Sequence, residues 1–245
     1  KMEVVLKPHI WLRGGWRATI KPAKEAGGWD AWFASYRRFI LAYAKLAAET
    51  GVETFVIGVE LGSSTKARPG AWRRLIAAVR EVYPRDRGKL LYGANWDEAE
   101  RIPFWDALDA IGVQMFAPLT TKARPSYGDA LAGAKTWLRR YEALAERFGK
   151  PLVLSEAGFV NTASGLAKPY IWPERRDQRR SAEGDRVQAL GYRALLETFG
   201  RSPRVEAIYW WKWFSNPATR EEGPVGYSPR GKPALEELRR RCAGS

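Results

Sequence analysis

The stretch "FVIGVELGSS", residues 55–64, decides how the rest of the chain is read. Phe55, Val56, Ile57, Val59 and Leu61 form a near-continuous apolar run, the signature of a strand covered on both faces. Glu60 interrupts it, with Gly62-Ser63-Ser64 opening a loop straight after. Burying an unpaired carboxylate is costly, so a glutamate at that position needs a reason.

Working outward, five further runs share the pattern: "VVLKPHIWL" (4–12), "KLLYGAN" (89–95), "AIGVQMFAPL" (110–119), "PLVLSEAGF" (151–159) and "VEAIYWWKWF" (205–214). Helical periodicity fills the gaps. Trp29, Trp32, Tyr36, Phe39, Ile40 and Tyr43 predict a helix over about 29–49, stopped by Gly51. Trp72, Leu75, Ile76 and Val79 predict a second, ended by Pro84, and Trp105 with Leu108 a short third. A fourth runs over about 131–148 to Gly149, and a fifth from about Val187 to Gly200. "PALEELRRR" gives a last one, starting at Pro233. Trp105 and Trp137, at helical spacing, are expected in the core. Residues 160–184 read as one long loop. Alternation of this kind means βαβ units and a parallel sheet in one domain over residues 1–245.

Composition narrows the function. The 245 residues are 45% hydrophobic, enough for a large core. No apolar run is long enough to span a bilayer and no signal-peptide pattern is visible, so a soluble cytoplasmic or secreted protein is expected. One cysteine, Cys242, and one histidine, His9, exclude an intrachain disulfide and argue against zinc. G-x-S-x-G, G-x-G-x-x-G and Walker A patterns are missing. The net charge of +14 reads as a solvated arginine-rich surface, densest at Arg175, Arg176, Arg179 and Arg180. Nucleic-acid binding is the lesser alternative, and it would be steeply salt-dependent. Twelve tryptophans exceed what a core of this size needs and suggest a cleft for flat apolar faces, of sugars or of bases.

The ends of the runs carry the chemistry. Glu60 and Glu156 close the second and fifth, His9 and Trp11 the first, Asn95 and Trp96 the third, Trp211 and Trp213 the last. In parallel α/β barrels the active site lies at the C-terminal ends of the strands. Two glutamates facing each other there suit glycoside hydrolysis, one as acid and one as nucleophile, about 5–5.5 Å apart in retaining enzymes. A lone strand-end glutamate serves equally as a helix cap or an ion-pair member, and Asp97 and Glu98 are expected as caps after Asn95-Trp96.

At these residues the chain resembles glycoside hydrolase family 113, the β-mannanases, of the large retaining clan built on (β/α)8 barrels. The likeness runs from residue 6 to 238 through "LKPHIW", "FVIGVEL", "LLYGANWDE", "FWDALDAIGVQMFAPL", "GKPLVLSEAGF", "IYWWKWF" and "YSPRGKPALEEL". It implies a TIM (β/α)8-type barrel and hydrolysis of β-1,4-linked mannan or a related β-glycan without a cofactor. Glu60 would be the acid/base and Glu156 the nucleophile. His9, Trp11, Asn95, Trp96, Trp211 and Trp213 would line the sugar cleft.

Three positions depart from the pattern. Val59 stands where the clan usually has asparagine. Phe116 stands where a tyrosine often touches the nucleophile, with Tyr170 or Tyr227 as substitutes. The first run resembles the third strand of the barrel, so six strands are visible and the first two βα units are not; three alternatives stand open, that the chain is a fragment of a longer protein, that a second copy or another chain completes the barrel, or that the barrel is genuinely shortened. The alternative function is a barrel that binds β-linked oligosaccharides without turnover.

Overall fold

The computed structural model describes residues 2–172, 179–216 and 223–243. Arg175 and Arg176 of the basic run lie outside the described residues. Six parallel strands are present: β1 (Val5–Leu6), β2 (Thr54–Val59), β3 (Lys89–Asn95), β4 (Ile111–Met115), β5 (Leu152–Ala157) and β6 (Val205–Trp210). Their hydrogen-bonded order follows the chain, β1-β2-β3-β4-β5-β6. The helices are α1 (Gly28–Thr50), α2 (Gly62–Ala67), α3 (Pro69–Val82), α4 (Tyr127–Phe148), α5 (Ala182–Glu197) and α6 (Ala234–Ala243).

Local chemistry explains the boundaries. Gly51 ends α1 in the left-handed conformation, φ 70°, returning its N–H to Ala47 O. Pro69 opens α3, where its missing N–H costs nothing. Ser181 caps α5, its hydroxyl accepting from Gly184 N–H at 3.0 Å, with Glu183 and Asp185 in the first turn. Every residue of β2, β4 and β5 is buried, as the continuous apolar runs require.

Three expectations need correction. The first run yields only a two-residue strand, because Pro8 has no N–H to continue the ladder. Gly62-Ser63-Ser64 begins α2 instead of a loop; Ser64 N–H and Thr65 N–H both return to Leu61 O. The Trp105 segment is a single 3-10 turn, Trp105–Ala107. Trp105 is fully buried, as expected for core, whereas Trp137 is half-buried under the Arg140 guanidinium, 4.2 Å from its ring.

The chain divides into two compact units. The first joins residues 1–114 with 145–152. Its core is an aromatic cluster around Trp72, whose ring lies 5.3 Å from Tyr92, 5.7 Å from Tyr36 and 5.7 Å from Phe104. The β2–β3 register slips between Val56↔Leu91 and Val59↔Gly93, a bulge. Tyr36 donates its hydroxyl to the carbonyl of Ile57 inside that bulge, at 2.8 Å. Gly58 is required there: a Cβ would sit 2.7 Å from the tip of the Trp72 ring and 3.0 Å from Tyr92. Gly58→Ala is expected to cost about 1–3 kcal/mol, read by denaturant unfolding.

The second unit joins residues 115–144 with 153–245. Gln188 holds it together from α5, donating to the carbonyls of Phe159, Gly226 and Tyr227 at 2.8–3.2 Å. Buried Asn161 adds a second node, donating to Asp185 at 2.8 Å and accepting from Gly226 N–H at 2.8 Å.

Candidate active site

In the first unit, Glu60 is the residue immediately after β2 and is 9% exposed. Its φ is +50°, the one positive value among the described non-glycine residues. That conformation costs about 1–3 kcal/mol and survives only where the surroundings enforce it. Here Glu60 N–H bonds Gly93 O at 2.8 Å and Leu61 N–H bonds the Tyr92 hydroxyl at 2.7 Å. The strand's exit turn is thus pinned to β3 on both sides of the α-carbon.

The Glu60 carboxylate meets Trp16 and Arg17, two residues no sequence pattern had singled out. Trp16 Nε1 donates to Oε2 at 3.1 Å, and an Arg17 guanidinium nitrogen lies 3.4 Å from the same oxygen. Arg17 also donates to Ile10 O at 3.3 Å, and its guanidinium lies 5.2 Å from the Trp11 ring. His9 stacks on Trp11 at 6.0 Å and 18°. Arg17 therefore joins the segment carrying His9 and Trp11 to Glu60. Burial first, then the Lys7 and Arg17 cations, push His9 down to about 4, so it is neutral at neutral pH. Trp11 is 74% exposed, a flat apolar surface open to solvent.

Asn95 and Trp96 stand at the end of β3. Asn95 Nδ2 donates to Asp97 at 2.6 Å, and Trp96 is half-buried. Glu98 does not cap the following turn. It is buried and accepts from the Thr65 hydroxyl at 2.8 Å, the Tyr92 hydroxyl at 3.1 Å and Asn95 N–H at 3.4 Å. Local sequence could not choose it from Asp97 and Glu100.

In the second unit, Glu156 is the penultimate residue of β5 and 7% exposed. Beyond β6, Trp211 N–H bonds Ala157 O at 2.8 Å, so the residue after Glu156 is tied to the strand that delivers the tryptophans. Gly158 permits this approach; a Cβ there would lie 2.2 Å from Trp211 O. Trp213 is half-exposed with Arg230 stacked over it at 4.4 Å. Phe116 packs edge-on to Tyr227 at 5.6 Å, and the Tyr227 hydroxyl donates to Pro169 O. Tyr170 is half-exposed. Trp172 is another aromatic that sequence spacing missed: it is half-exposed, 5.0 Å from Tyr227, with Lys212 Nζ 5.0 Å from its ring.

Glu60 in the first unit and Glu156 in the second are each buried at a strand end, and each unit carries solvent-facing indoles, Trp11 in the first and Trp213 in the second. The family model for glycoside hydrolase family 113 matches residues 1–232. The chain belongs to glycoside hydrolase family 113. A solved complex of a family 113 β-1,4-mannanase matches with TM-score 0.82 at 27% identity, covering 100% of this chain and 74% of that one. The family 113 β-mannanase AaManA from Alicyclobacillus acidocaldarius, in complex with ManMIm, gives TM-score 0.82 at 27% identity over 100% of this chain and 74% of that one. The Faecalibacterium prausnitzii β-glucuronidase shares the fold alone, with TM-score 0.62 at 14% identity over 86% of this chain and 35% of that one. No match is found among the curated proteins.

As a family 113 member the chain is an enzyme, a glycoside hydrolase, of the α/β class with six strands of the TIM-barrel type. Among the described residues no helix is long and apolar enough to cross a membrane.

Proposed function

We propose that this family 113 chain is a retaining hydrolase of β-1,4-linked mannan, with Glu156 as nucleophile and Glu60 as acid/base. The observation that carries the reading is the likeness to solved family 113 β-mannanase structures over all of this chain and 74% of theirs. The backbone of Glu60 adds support, since a strained, enforced geometry at a buried carboxylate is typical of functional positions.

In the first step a Glu156 carboxylate oxygen bonds to the anomeric carbon as the glycosidic C–O bond breaks. Glu60 gives its proton to the departing oxygen, leaving a glycosyl ester on Glu156 and an ionised Glu60. In the second step Glu60 takes a proton from water, the hydroxide oxygen bonds to the anomeric carbon, and Glu156 departs as carboxylate. The Arg17 guanidinium favours the ionised Glu60 needed between the steps. Trp11 and Trp213, both exposed, offer faces on which pyranose rings stack. Asn95 and Trp96 on the first unit, His9 beside Trp11, and Trp211 on the second complete the sugar contacts in this reading.

The test is reducing-sugar release from mannan, glucomannan and cellulose. Mannan and glucomannan are expected to be cleaved roughly 10-fold or more faster than cellulose. Equal or faster cleavage of cellulose overturns the assigned substrate.

A second reading has observations of its own. Glu60 is already engaged by Arg17 and Trp16, and Phe116 offers no hydroxyl to a nucleophile. Oligosaccharide binding without turnover follows if those features dominate. Saturable binding of mannooligosaccharide with no product from any substrate would favour it.

A further inference from the structure

Glu98 is a third buried glutamate, beside Glu60 and Glu156, and the catalytic reading gives it no task. It lies just beyond β3 and gathers donors from α2 (Thr65), from β3 (Tyr92) and from the Asn95 backbone. Tyr92 has two roles at once: its oxygen accepts Leu61 N–H at 2.7 Å while its proton goes to Glu98 at 3.1 Å. Leu61 follows the one described non-glycine residue held at positive φ, Glu60. The path from Glu98 to the turn that aims Glu60 is two hydrogen bonds long. Thr65 gives a second path, since α2 starts at Gly62 and its first amides return to Leu61 O. The space beside the α-carbon of Gly62 also faces this carboxyl; a Cβ there would lie 3.5 Å from Glu98 Cδ.

Several charged and titratable groups lie around the pair. Arg17, from the segment after β1, touches Glu60. His9 from the same segment is neutral, held down by burial, Lys7 and Arg17. Tyr36 of α1 and Tyr92 of β3 are both pushed up by burial and keep their protons. Lys66 of α2 and Asp97 are exposed. Burial pushes Glu98 up to about 6 against the pull of its Thr65, Tyr92 and Asn95 donors, and the Glu60 charge adds to the rise. Repulsion between two carboxylates is mutual, so an ionised Glu98 favours a protonated Glu60, while Arg17 favours an ionised one.

We propose that Glu98 is a positioning residue for Glu60: it fixes the strand-exit turn through Tyr92 and Thr65, and its charge opposes that of Arg17 so that Glu60 retains the proton it delivers. This rests on the reading of Glu60 as acid/base.

The experiment is the pH profile of kcat/KM for the whole chain on mannooligosaccharide. Its alkaline limb reports loss of the acid's proton. In Glu98→Gln, which keeps the acceptor geometry for Thr65 and Tyr92, that limb is expected to move down by roughly one pH unit. In Arg17→Gln it is expected to move up. A purely structural role for Glu98 would lower kcat or thermal stability and leave the limb in place, and that result in a folded Glu98→Gln protein overturns the proposal. If Glu98→Gln does not fold, Thr65→Val decides. It removes one donor from Glu98, keeps Glu98 protonated to higher pH, and is expected to move the limb in the same direction by a smaller amount. An unmoved limb there overturns the proposal equally.

Glu60→Gln separates this proposal from the reading beneath it. Loss of activity on poor leaving groups, with rescue by azide on an aryl mannoside bearing a good one, identifies Glu60 as acid/base whatever Glu98 does. Wild-type behaviour of Glu60→Gln removes the acid/base reading itself.

Discussion

Replacing Glu156 by glutamine is expected to lower kcat on mannan on the order of 10^4–10^6-fold while leaving the protein folded. The size follows from what is removed. Glutamine fills nearly the same volume, but its amide cannot form a glycosyl ester that water then releases. Glu156 sits in a fully buried strand between Ser155 and Ala157, 7% exposed, so a side chain of the same shape leaves packing intact. The variant should therefore stay folded as activity disappears. Proton NMR of the first product from the wild type should show the β anomer, as double displacement requires. Residual activity of a few per cent in Glu156→Gln, or an α anomer at the outset, would take the nucleophile assignment away from Glu156.

The sequence made some of this fold legible and hid the rest for identifiable reasons. Strands buried on both faces announce themselves as apolar runs, and β2 to β5 were readable for that reason. Glycine and proline marked the helix ends at Gly51, Pro84 and Gly149 because each supplies a backbone geometry or a missing donor that other residues do not. The first run misled, since apolar residues on both sides of Pro8 cannot make the ladder continuous. Composition has no bearing on α2: "GSSTKA" carries loop-like residues, and its helix is secured by the Ser64 hydroxyl folding back on the Leu61 carbonyl.

The glutamates themselves stood out because they break an apolar pattern. Their surroundings did not, because Trp16 and Arg17 approach Glu60 from a glycine-flanked segment with no periodicity, 44 residues away for Trp16. Contacts of that kind depend on tertiary closure, and nothing local encodes them. Glu98 was visible as a charge but not as a partner, since its donors come from three separate places in the chain.

The largest expected loss of stability comes from Trp72→Ala, about 3–5 kcal/mol by the usual cost of emptying a buried aromatic site. For a domain with only about 5–15 kcal/mol in hand, that is a large fraction. Trp72 is fully buried and is shared by α1, α3 and β3 through Tyr36, Phe33 and Tyr92. Its indole N–H also donates to Ser64 Oγ at 3.1 Å, so its removal leaves a buried hydroxyl with one donor fewer and loosens α2, which carries Thr65 to Glu98. Thermal unfolding should fall by roughly 10 °C. Trp72→Phe should recover most of the packing but not the Ser64 hydrogen bond. It also shortens the ring end that faces Gly58, where a Cβ would meet the indole at 2.7 Å. The double variant Gly58→Ala with Trp72→Phe should therefore be more stable than the sum of the single losses implies, because the phenyl ring vacates the space the new methyl needs. Strict additivity of the two losses would mean that the bulge at Gly58 is not shaped by the Trp72 ring, and that the strand-exit geometry delivering Glu60 has some other cause.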